Sequence, residues 1–205
     1  MSTTRLIACF MACCLAILAA GCSSTLKVRY SPVSPPMYTE KVPVQVTIGT
    51  VTDDRGMDAA VYWTNGFDKS SYDRSVADAV KEALRSEFQR AGMCVSPEGS
   101  GASKALTLNC KVLDFRAQLT IKPFRSSTVD EVVTLRFQLV DPSTGMVLDE
   151  SDRTEKRTIQ LGWGDNPQLP FQAAQIEGYG NDLVNSLLPE AIEKELRLTK
   201  WSSYK

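Results

Sequence analysis

Alternation of apolar and polar residues predicts the first strand and two short extended pieces. From Val42 onward, valine or isoleucine stands at every second position as far as Ile48, which is the period of a strand with one buried face. The polar turn 52–56 ends this strand. Shorter extended pieces are predicted at 59–63 and 93–96.

A long strand with a change of phase is predicted at 104–121. Apolar residues as far as Val112 share one face, whereas those beyond it fall on positions of the other parity. A β-bulge near Val112 would bring both sets to the same side. Another strand follows at 133–139, and the turn sequence 141–145 predicts that 146–159 returns as its hairpin partner.

Two stripes of apolar residues at three- and four-residue spacing predict two helices. The first spans 76–91, with Ser71 or Asp73 as its N-terminal cap and Gly92 as the left-handed residue that ends it.

The second helix carries its stripe between Leu183 and Leu196, with a start as early as Pro170. Pro189 lies inside this helix and is expected to kink it, since proline cannot donate a hydrogen bond to Asn185. The order of elements predicts an α+β fold, in which two main helices pack on one face of a mostly antiparallel sheet.

The pattern divides the chain into three parts. Residues 42–205 are predicted to form one α+β domain. Serine and proline are frequent in 22–41, which is predicted to be a flexible tether reaching roughly 60 Å at ~3.1 Å per residue. Residues 1–21 have the form of a secretory signal peptide, because Arg5 precedes an apolar run too short for a bilayer span of roughly 20 residues.

Small residues stand directly before a cysteine at the end of that apolar run. Ala19, Ala20 and Gly21 precede Cys22, and this sequence resembles the lipobox of bacterial lipoproteins. The resemblance implies cleavage before Cys22 and attachment of diacylglycerol and an N-acyl chain such as palmitate. Ser23 follows, where aspartate would resemble an inner-membrane retention signal, so the implied address is the periplasmic face of the outer membrane. The alternative is an ordinary secreted protein with a free cysteine near its start.

Composition excludes several classes of function. The chain has 23 Lys plus Arg, 24 Asp plus Glu and no histidine, with a formal net charge of −1. Near balance of charge provides no basic field for nucleic acid. The lack of histidine excludes Ser-His and Cys-His catalytic pairs and removes the commonest zinc ligand. Apart from the covalent lipid, no cofactor, metal or catalytic residue is predicted.

Cys94 and Cys110 are the two cysteines of the predicted domain, and two alternatives stay open for them. A disulfide would close a short loop in an oxidising compartment and contribute roughly 3 kcal/mol. Otherwise they are two small apolar side chains on neighbouring strands. A simple hairpin over 93–112 would place Cys94 opposite Leu106 instead of Cys110.

Two further patterns are weak as binding motifs. The acidic residues Asp53, Asp54 and Asp58 could collect a hard cation, but they lack the spacing of a calcium loop, and a solvated turn is the alternative. The G-x-G stretches at 99–101, 162–164 and 178–180 lack the third glycine of a nucleotide-binding loop, so no nucleotide is predicted.

Three aromatic residues are candidates for an interaction surface. Trp163 lies in a loop rich in glycine and proline, and Tyr62 and Trp63 form a pair near another predicted loop. Exposed aromatic residues are enriched at interaction sites. The alternative is that each side chain covers an end of the core.

Several short motifs resemble the YajG-like family of Gram-negative lipoproteins. They are the lipobox, the first strand ending in Asp53-Asp54-Arg55, and the first helix running into the segment 91–95. The order of elements is also similar to auxiliary lipoproteins of envelope ABC transporters and to the lipopolysaccharide-assembly lipoprotein. The resemblance implies a non-catalytic part of the envelope with no active site.

The sequence therefore predicts a lipid-anchored, non-catalytic binding or scaffold module of the cell envelope. Its partners would be the membrane, through the anchor, and another envelope protein. One alternative is an accessory subunit of an envelope lipid or lipopolysaccharide transport complex. A further alternative is a small envelope hydrolase, which would need a nucleophile with a base other than histidine, or a carboxylate pair.

Overall fold

The fold is described from a computed structural model of the chain. The residues that it describes are 24–26, 29–31, 44–56, 62–64, 68–96, 105–120, 126–161 and 173–204.

Eight strands lie within these residues. They are β1 (Ser24–Leu26), β2 (Gln45–Asp53), β3 (Tyr62–Thr64), β4 (Asp68–Tyr72), β5 (Cys94–Ser96), β6 (Leu106–Thr120), β7 (Thr128–Val140) and β8 (Val147–Gln160). The main sheet has the order β5-β2-β6-β7-β8, and β3, β4 and β1 extend it from the second half of β6. The ladders β6–β7 and β7–β8 are long and antiparallel, whereas β2 runs parallel to β5 and β6. The sheet is thus mixed and mostly antiparallel, and the predicted α+β class is confirmed.

The predicted bulge of the long strand is confirmed. In the β6–β7 ladder, Val112 lies opposite Leu135 and Asp114 lies opposite Thr134, so Leu113 is the extra residue. The buried positions of β6 change parity at this point, from the even-numbered residues up to Val112 to the odd-numbered residues from Phe115. An inserted residue keeps both apolar sets on the core side, as the sequence pattern requires.

The predicted hairpin β7–β8 is also confirmed. Asp141 holds the turn, because its Oδ1 accepts from the Ser143 N–H at 2.8 Å and its carbonyl accepts from the Gly145 N–H at 2.8 Å. Gly145 has a φ of 72°, a left-handed conformation that glycine adopts without steric cost. The turn sequence therefore sets the register of β7–β8, one of the two long antiparallel ladders in the described part of the chain.

The first helix, α1, spans Val76–Arg90 and ends as predicted at Gly92, which has a φ of 76°. The predicted N-terminal caps were wrong. Ser75 is the cap, and its side chain accepts from the backbone N–H of Asp78 at 3.0 Å. Ser71 lies within β4, so the helix begins later than either predicted cap allows.

The C-terminal helix is interrupted by one wide turn. It consists of α2 (Ala173–Asp182), a π-helical segment (Leu183–Leu187) and α3 (Leu188–Leu198), followed by a 3₁₀ turn at Trp201–Tyr204. The Leu188 N–H donates to the Leu183 carbonyl. Pro189 lies at the start of α3, so the wide turn falls where its missing N–H would otherwise break the ladder. The local disturbance that Pro189 predicted thus takes the form of a π-helical segment.

Both helices cover one face of the sheet and enclose the core. α1 packs on β2 and α3, and α3 packs on β7 and β8. Phe88 of α1 and Trp201 make an edge-to-face contact with their ring centroids 5.7 Å apart. The largest fully buried side chains are Phe88, Phe115, Phe137, Ile48, Leu84, Leu108, Leu119, Leu135, Leu183, Leu187 and Leu188.

Part of the segment predicted to be a tether belongs to the folded domain. β1 pairs in parallel with β4, and Leu26 is 5% exposed within the core. The Ser31 N–H donates to the Asn185 Oδ1 at 2.6 Å. The boundary expected at 42 is therefore wrong for these residues. Serine and proline content concealed the apolar Leu26, which a parallel partner brings into the core.

Candidate functional site

The face of β8 that points toward the C-terminal helix is polar. Its side chains are Asp149, Ser151, Arg153, Glu155, Arg157 and Ile159, all partly buried. Arg153 Nη2 lies 2.9 Å from Glu195 Oε2, and the Ser151 hydroxyl donates to the same oxygen at 2.7 Å. Lys194 pairs with Glu155. Ion pairs and hydrogen bonds therefore join β8 to α3, whereas apolar contacts join β7 to α3.

Arg157 forms the centre of this polar contact. Its Nη1 lies 2.5 Å from Asp182 Oδ2, and its Nη2 donates to the Ser186 hydroxyl at 2.8 Å and to Glu190 Oε1 at 3.2 Å. The three partners come from α2, the π-helical segment and α3 in turn. The planar guanidinium presents several N–H donors in one plane, so one side chain binds all three pieces of the helix.

Glu131 is a buried carboxylic acid next to this cluster. It lies on β7 opposite Arg157, is 0% exposed, and neither carboxyl oxygen has a hydrogen-bond partner among the described residues. Burial and then the nearby Asp182 raise the pKa of Glu131 to about 8, although Arg157 acts in the opposite direction. Glu131 is therefore protonated at neutral pH.

Tyr72 joins β4 to α2. Its hydroxyl donates to the Gly180 carbonyl of α2 at 2.7 Å, and its ring meets Phe115 edge to face at 6.0 Å. Burial raises the pKa of the Tyr72 hydroxyl far above its ordinary value. This hydroxyl thus remains a donor that fixes α2 over the sheet.

The predicted acidic turn after β2 is held by an arginine. Arg55 donates through Nε and Nη2 to the two carboxyl oxygens of Asp53 at 2.7 and 2.6 Å, and through Nη1 to the Phe115 carbonyl at 3.1 Å. This bidentate pair lowers the pKa of Asp53. Asp54 pairs with Lys111 at 3.6 Å. No metal-binding group of three ligands occurs among the described residues, and Asp58 lies outside them.

A shallow groove runs along the outer side of α3. It has a volume of about 180 Å³ and is lined by Glu155, Glu190, Glu193, Lys194 and Arg197. Along α3 the acidic Glu190 and Glu193 precede the basic Lys194 and Arg197, and Glu155 of the edge strand completes the lining.

Of the two edge strands of the main sheet, β5 has 3 residues and β8 has 14, so β8 provides the long free edge. Among the described residues it pairs only with β7, so its other edge offers backbone N–H and C=O groups to a partner. Exposed apolar side chains stand at the turn end of this strand, where Met146, Val147 and Leu148 are 63%, 52% and 40% exposed. Leu198, at the end of α3, is 64% exposed. β8 is therefore the described surface best suited to binding another chain.

Two of the predicted site residues are free cysteines and do not form a disulfide. Cys94 lies opposite Gln45 on one edge of β2, and Cys110 lies opposite Val51 on the other edge. Six positions of β2 separate them along the strand, roughly 20 Å at ~3.3 Å per residue. β2 intervenes between the two, so neither the bridge nor the hairpin over 93–112 forms. Burial raises the pKa of the Cys110 thiol well above its ordinary value.

The remaining predicted site residues are only partly described. Cys22 and Trp163 lie outside the described residues. Tyr62 and Trp63 lie in β3, between β4 and β6, and their side chains are not among those described. The pair Gly178 and Gly180 lies inside α2, so this G-x-G stretch is not a loop between a strand and a helix.

Sequence reasoning missed Glu131, Arg157 and Asp182, which the structure brings together. A signal was available for the first of them, because Glu131 occupies an inward position on the otherwise apolar face of β7. Polar residues at both parities of β8 were a second signal, since such a strand must find polar partners on its covered face.

Comparison with known proteins identifies the class of fold. No family model matches the sequence, and no curated protein matches it either. The fold is similar to that of protein XCC0632 from Xanthomonas campestris, of the DUF330 family model. The TM-score is 0.51 and the identity 13%, over 89% of this chain and 98% of that one.

Weaker likenesses include two further solved structures. One is a putative neuraminyllactose-binding hemagglutinin homolog from Helicobacter pylori, with a TM-score of 0.46 and 14% identity over 85% of this chain and 94% of that one. The other is a minor lipoprotein from Acinetobacter baumannii, with a TM-score of 0.42 and 12% identity over 74% and 90%. Nothing about this chain follows from these two. The resemblance to the YajG-like family stays a prediction.

Proposed function

We propose that the chain is a lipoprotein of the bacterial cell envelope, anchored through Cys22, whose folded domain binds another protein chain along the free edge of β8. The lipobox-like sequence before Cys22 supports the anchor. Among the described helices, none is long and apolar enough to cross a membrane. On the proposed anchor, an acyl chain supplies about 0.8 kcal/mol of membrane affinity per buried methylene.

The free edge of β8 carries the proposal of binding. An added strand would satisfy backbone groups that the described residues leave unpaired, and alternate side chains would set its specificity. Met146, Val147 and Leu148 would provide apolar contacts at one end of that strand. The exposed apolar residues and the free edge coincide at the turn of the hairpin.

Hydrolysis is less well supported than binding. Glu131, whose pKa is raised to about 8, is fully buried beneath the C-terminal helix, which keeps substrate away from it. Its interior position is better suited to holding the fold than to acting on a substrate.

The envelope address and the family are part of the same proposal. Ser23 after the acylated cysteine is consistent with the outer membrane, facing the periplasm. The motifs around Asp53 and 91–95 are consistent with a YajG-like lipoprotein. An accessory role in lipid or lipopolysaccharide transport differs from a general scaffold only in the partner bound.

Photo-crosslinking in intact cells tests the proposal. A photoreactive amino acid is placed at Leu148 or at Thr158, both on the free-edge strand, and at Glu82 on the exposed side of α1 as the matched control. Adducts at the two β8 positions, absent at Glu82 and lost in a Cys22→Ser chain, are the expected result. Adducts of equal yield at all three positions, or none at β8, would overturn binding at this edge.

Mass spectrometry of the purified chain tests the anchor independently. We expect an N-terminal peptide that begins at Cys22 and carries diacylglycerol and one further acyl chain.

The identity of the photo-crosslinked partner separates the two roles. Capture of transport subunits at β8 would assign the accessory role, whereas capture of other envelope proteins would assign the scaffold role.

A further inference from the structure

We propose that the partner of the β8 edge is a second copy of this chain, paired antiparallel about a two-fold axis at Thr154. This inference rests on the proposed function, since it names the chain that the free edge would bind. The observation behind it is the order of charges along β8. Acidic residues precede Arg153, and basic residues follow Glu155.

On the outer face of β8, this register places unlike groups opposite each other. Thr154 lies opposite its own copy, Asp152 opposite Lys156, Glu150 opposite Thr158, and Leu148 opposite Gln160. Directly opposed side chains on antiparallel strands have Cβ atoms about 5 Å apart, and opposite charges there attract. Because of the two-fold symmetry, each pair away from the axis occurs twice in the dimer. Asp152 and Lys156 therefore form two ion pairs between the strands.

The neighbouring registers are unfavourable. A two-fold axis at position 152, 153, 155 or 156 would place a charged side chain, aspartate, arginine, glutamate or lysine, opposite its own copy. Like charges directly opposite each other destabilise a sheet. Within 152–156, Thr154 is the only residue that can occupy the axis without this repulsion.

The charges along α3 are also complementary about the proposed axis. Lys194 pairs with Glu155 next to Thr154, so the middle of α3 lies close to the proposed axis. Glu190 precedes this point and Arg197 follows it by similar distances along the helix, and both line the outer groove. The axis would bring Glu190 of one copy toward Arg197 of the other. Two layers of the molecule therefore favour the same axis.

The exposed edge of a long strand can also pair with strands of unrelated chains and aggregate. Charges on such an edge repel most other strands. On β8, the same charges attract a second β8 in one register, which would make a continuous sheet across both copies. The charge order thus combines rejection of other strands with recognition of its own copy.

Cysteine crosslinking of the full lipid-anchored chain in membranes tests the axis. The exposed Cys94 is first changed to serine, and Thr154→Cys is compared with Thr158→Cys on the same face. Position 154 meets its own copy, whereas position 158 lies roughly 26 Å from its copy at ~3.3 Å per residue. A disulfide or short bismaleimide dimer should form at least about tenfold more with Thr154→Cys.

A charge swap provides the second measurement. Lys156→Asp places aspartate opposite Asp152 in both symmetric pairs and should weaken dimer formation about tenfold. Within one copy Asp152 accepts from Arg136 Nε at 2.7 Å, so Asp152→Lys is added together with Arg136→Asp. This variant restores opposite charges between the copies and should recover most of the loss. Circular dichroism of each variant confirms that the fold is retained.

The outcomes separate this inference from the proposed function. Thr154→Cys and Thr158→Cys chains that crosslink equally, or not at all, would overturn self-pairing. Photo-adducts to a different protein at β8 would then leave the binding function standing. A dimer formed by the Cys94→Ser parent itself would indicate a free Cys22 thiol, which contradicts the anchor.

Discussion

The two strands of one hairpin, β7 and β8, face the same helix in different ways. β7 presents Val133, Leu135 and Phe137, all fully or almost fully buried. β8 presents Arg153, Glu155 and other polar groups that reach α3 through ion pairs. The apolar core therefore ends at β7, and a polar contact holds the last strand.

Because of this difference, β7 contributes mainly to stability and β8 mainly to the orientation of the helix. Apolar burial stabilises β7 strongly but depends little on which apolar partner it meets. Polar contacts contribute less net free energy, yet an unpaired buried charge is costly, so they fix how the helix lies on β8. Beyond Met146, Val147 and Leu148 at its turn end, this edge strand presents mainly polar side chains to other chains.

The largest expected effect comes from the apolar side of the comparison. Phe137→Ala should lower the free energy of unfolding by about 3–5 kcal/mol, because it leaves a cavity between the sheet and the helices. Ser151→Ala, directly opposite on β8, removes a hydrogen bond to Glu195 and should cost about 1 kcal/mol. Urea unfolding followed by circular dichroism measures both. Equal losses would contradict a core that ends at β7.

Glu131 is the polar exception on β7, and its effect depends on pH. Its pKa is raised in the folded chain, so the folded state holds a proton that the unfolded state loses above its ordinary carboxyl pKa. Stability should therefore fall as pH rises toward about 8, by at most about 1.4 kcal/mol per pH unit. Glu131→Gln should remove this slope and stabilise the chain by about 2 kcal/mol at alkaline pH.

Urea unfolding at a series of pH values measures this effect. Asp182→Asn serves as a second variant, since removing the neighbouring charge should lower the pKa of Glu131 and end the fall in stability at a lower pH. A Glu131→Gln chain that keeps the wild-type pH dependence would refute the assignment.

The ion pair between Arg153 and Glu195 tests the polar side of the comparison. Arg153→Met keeps the apolar stem but leaves Glu195, which is 2% exposed, without its cation, so a loss of about 1–2 kcal/mol is expected. Adding Glu195→Gln should recover part of that loss. A double-mutant cycle that gives no coupling energy would show that β8 does not depend on this pair.

The smallest expected effect lies on the outer face of the hairpin. The hydroxyl groups of Thr134 and Thr154 lie 3.1 Å apart across the two strands. Thr134→Ala should cost about 0.5 kcal/mol, since exposed cross-strand pairs contribute little. A loss as large as that of Arg153→Met would mean that the outer face stabilises the hairpin as much as the covered face does.

The sequence predicted those elements whose pattern is local. The alternation on either side of Val112 indicated the bulge, and glycines at 92 and 145 marked the end of α1 and the turn of the hairpin. These features depend on spacing within a few residues, which one sequence displays directly.

Contacts between residues far apart in the chain could not be predicted from the sequence in the same way. β5 and β6 both run parallel to β2, on its two edges, so their residues meet a strand far away in the chain. This arrangement is why Cys94 and Cys110 are apart. Glu131 and Asp182 are likewise brought together only by the packing of the helix on the sheet.

The early position of β1 has a consequence for motion at the membrane. β1 begins at Ser24, and on the proposed anchoring only Ser23 separates it from the acylated Cys22. An extended residue spans about 3.3 Å, so the sheet would lie within about 10 Å of the lipid. The domain would then diffuse laterally in a thin layer with its rotation restricted. Copies would then meet by diffusion in two dimensions. Their local concentration would be far above that of the same domain on a long flexible linker.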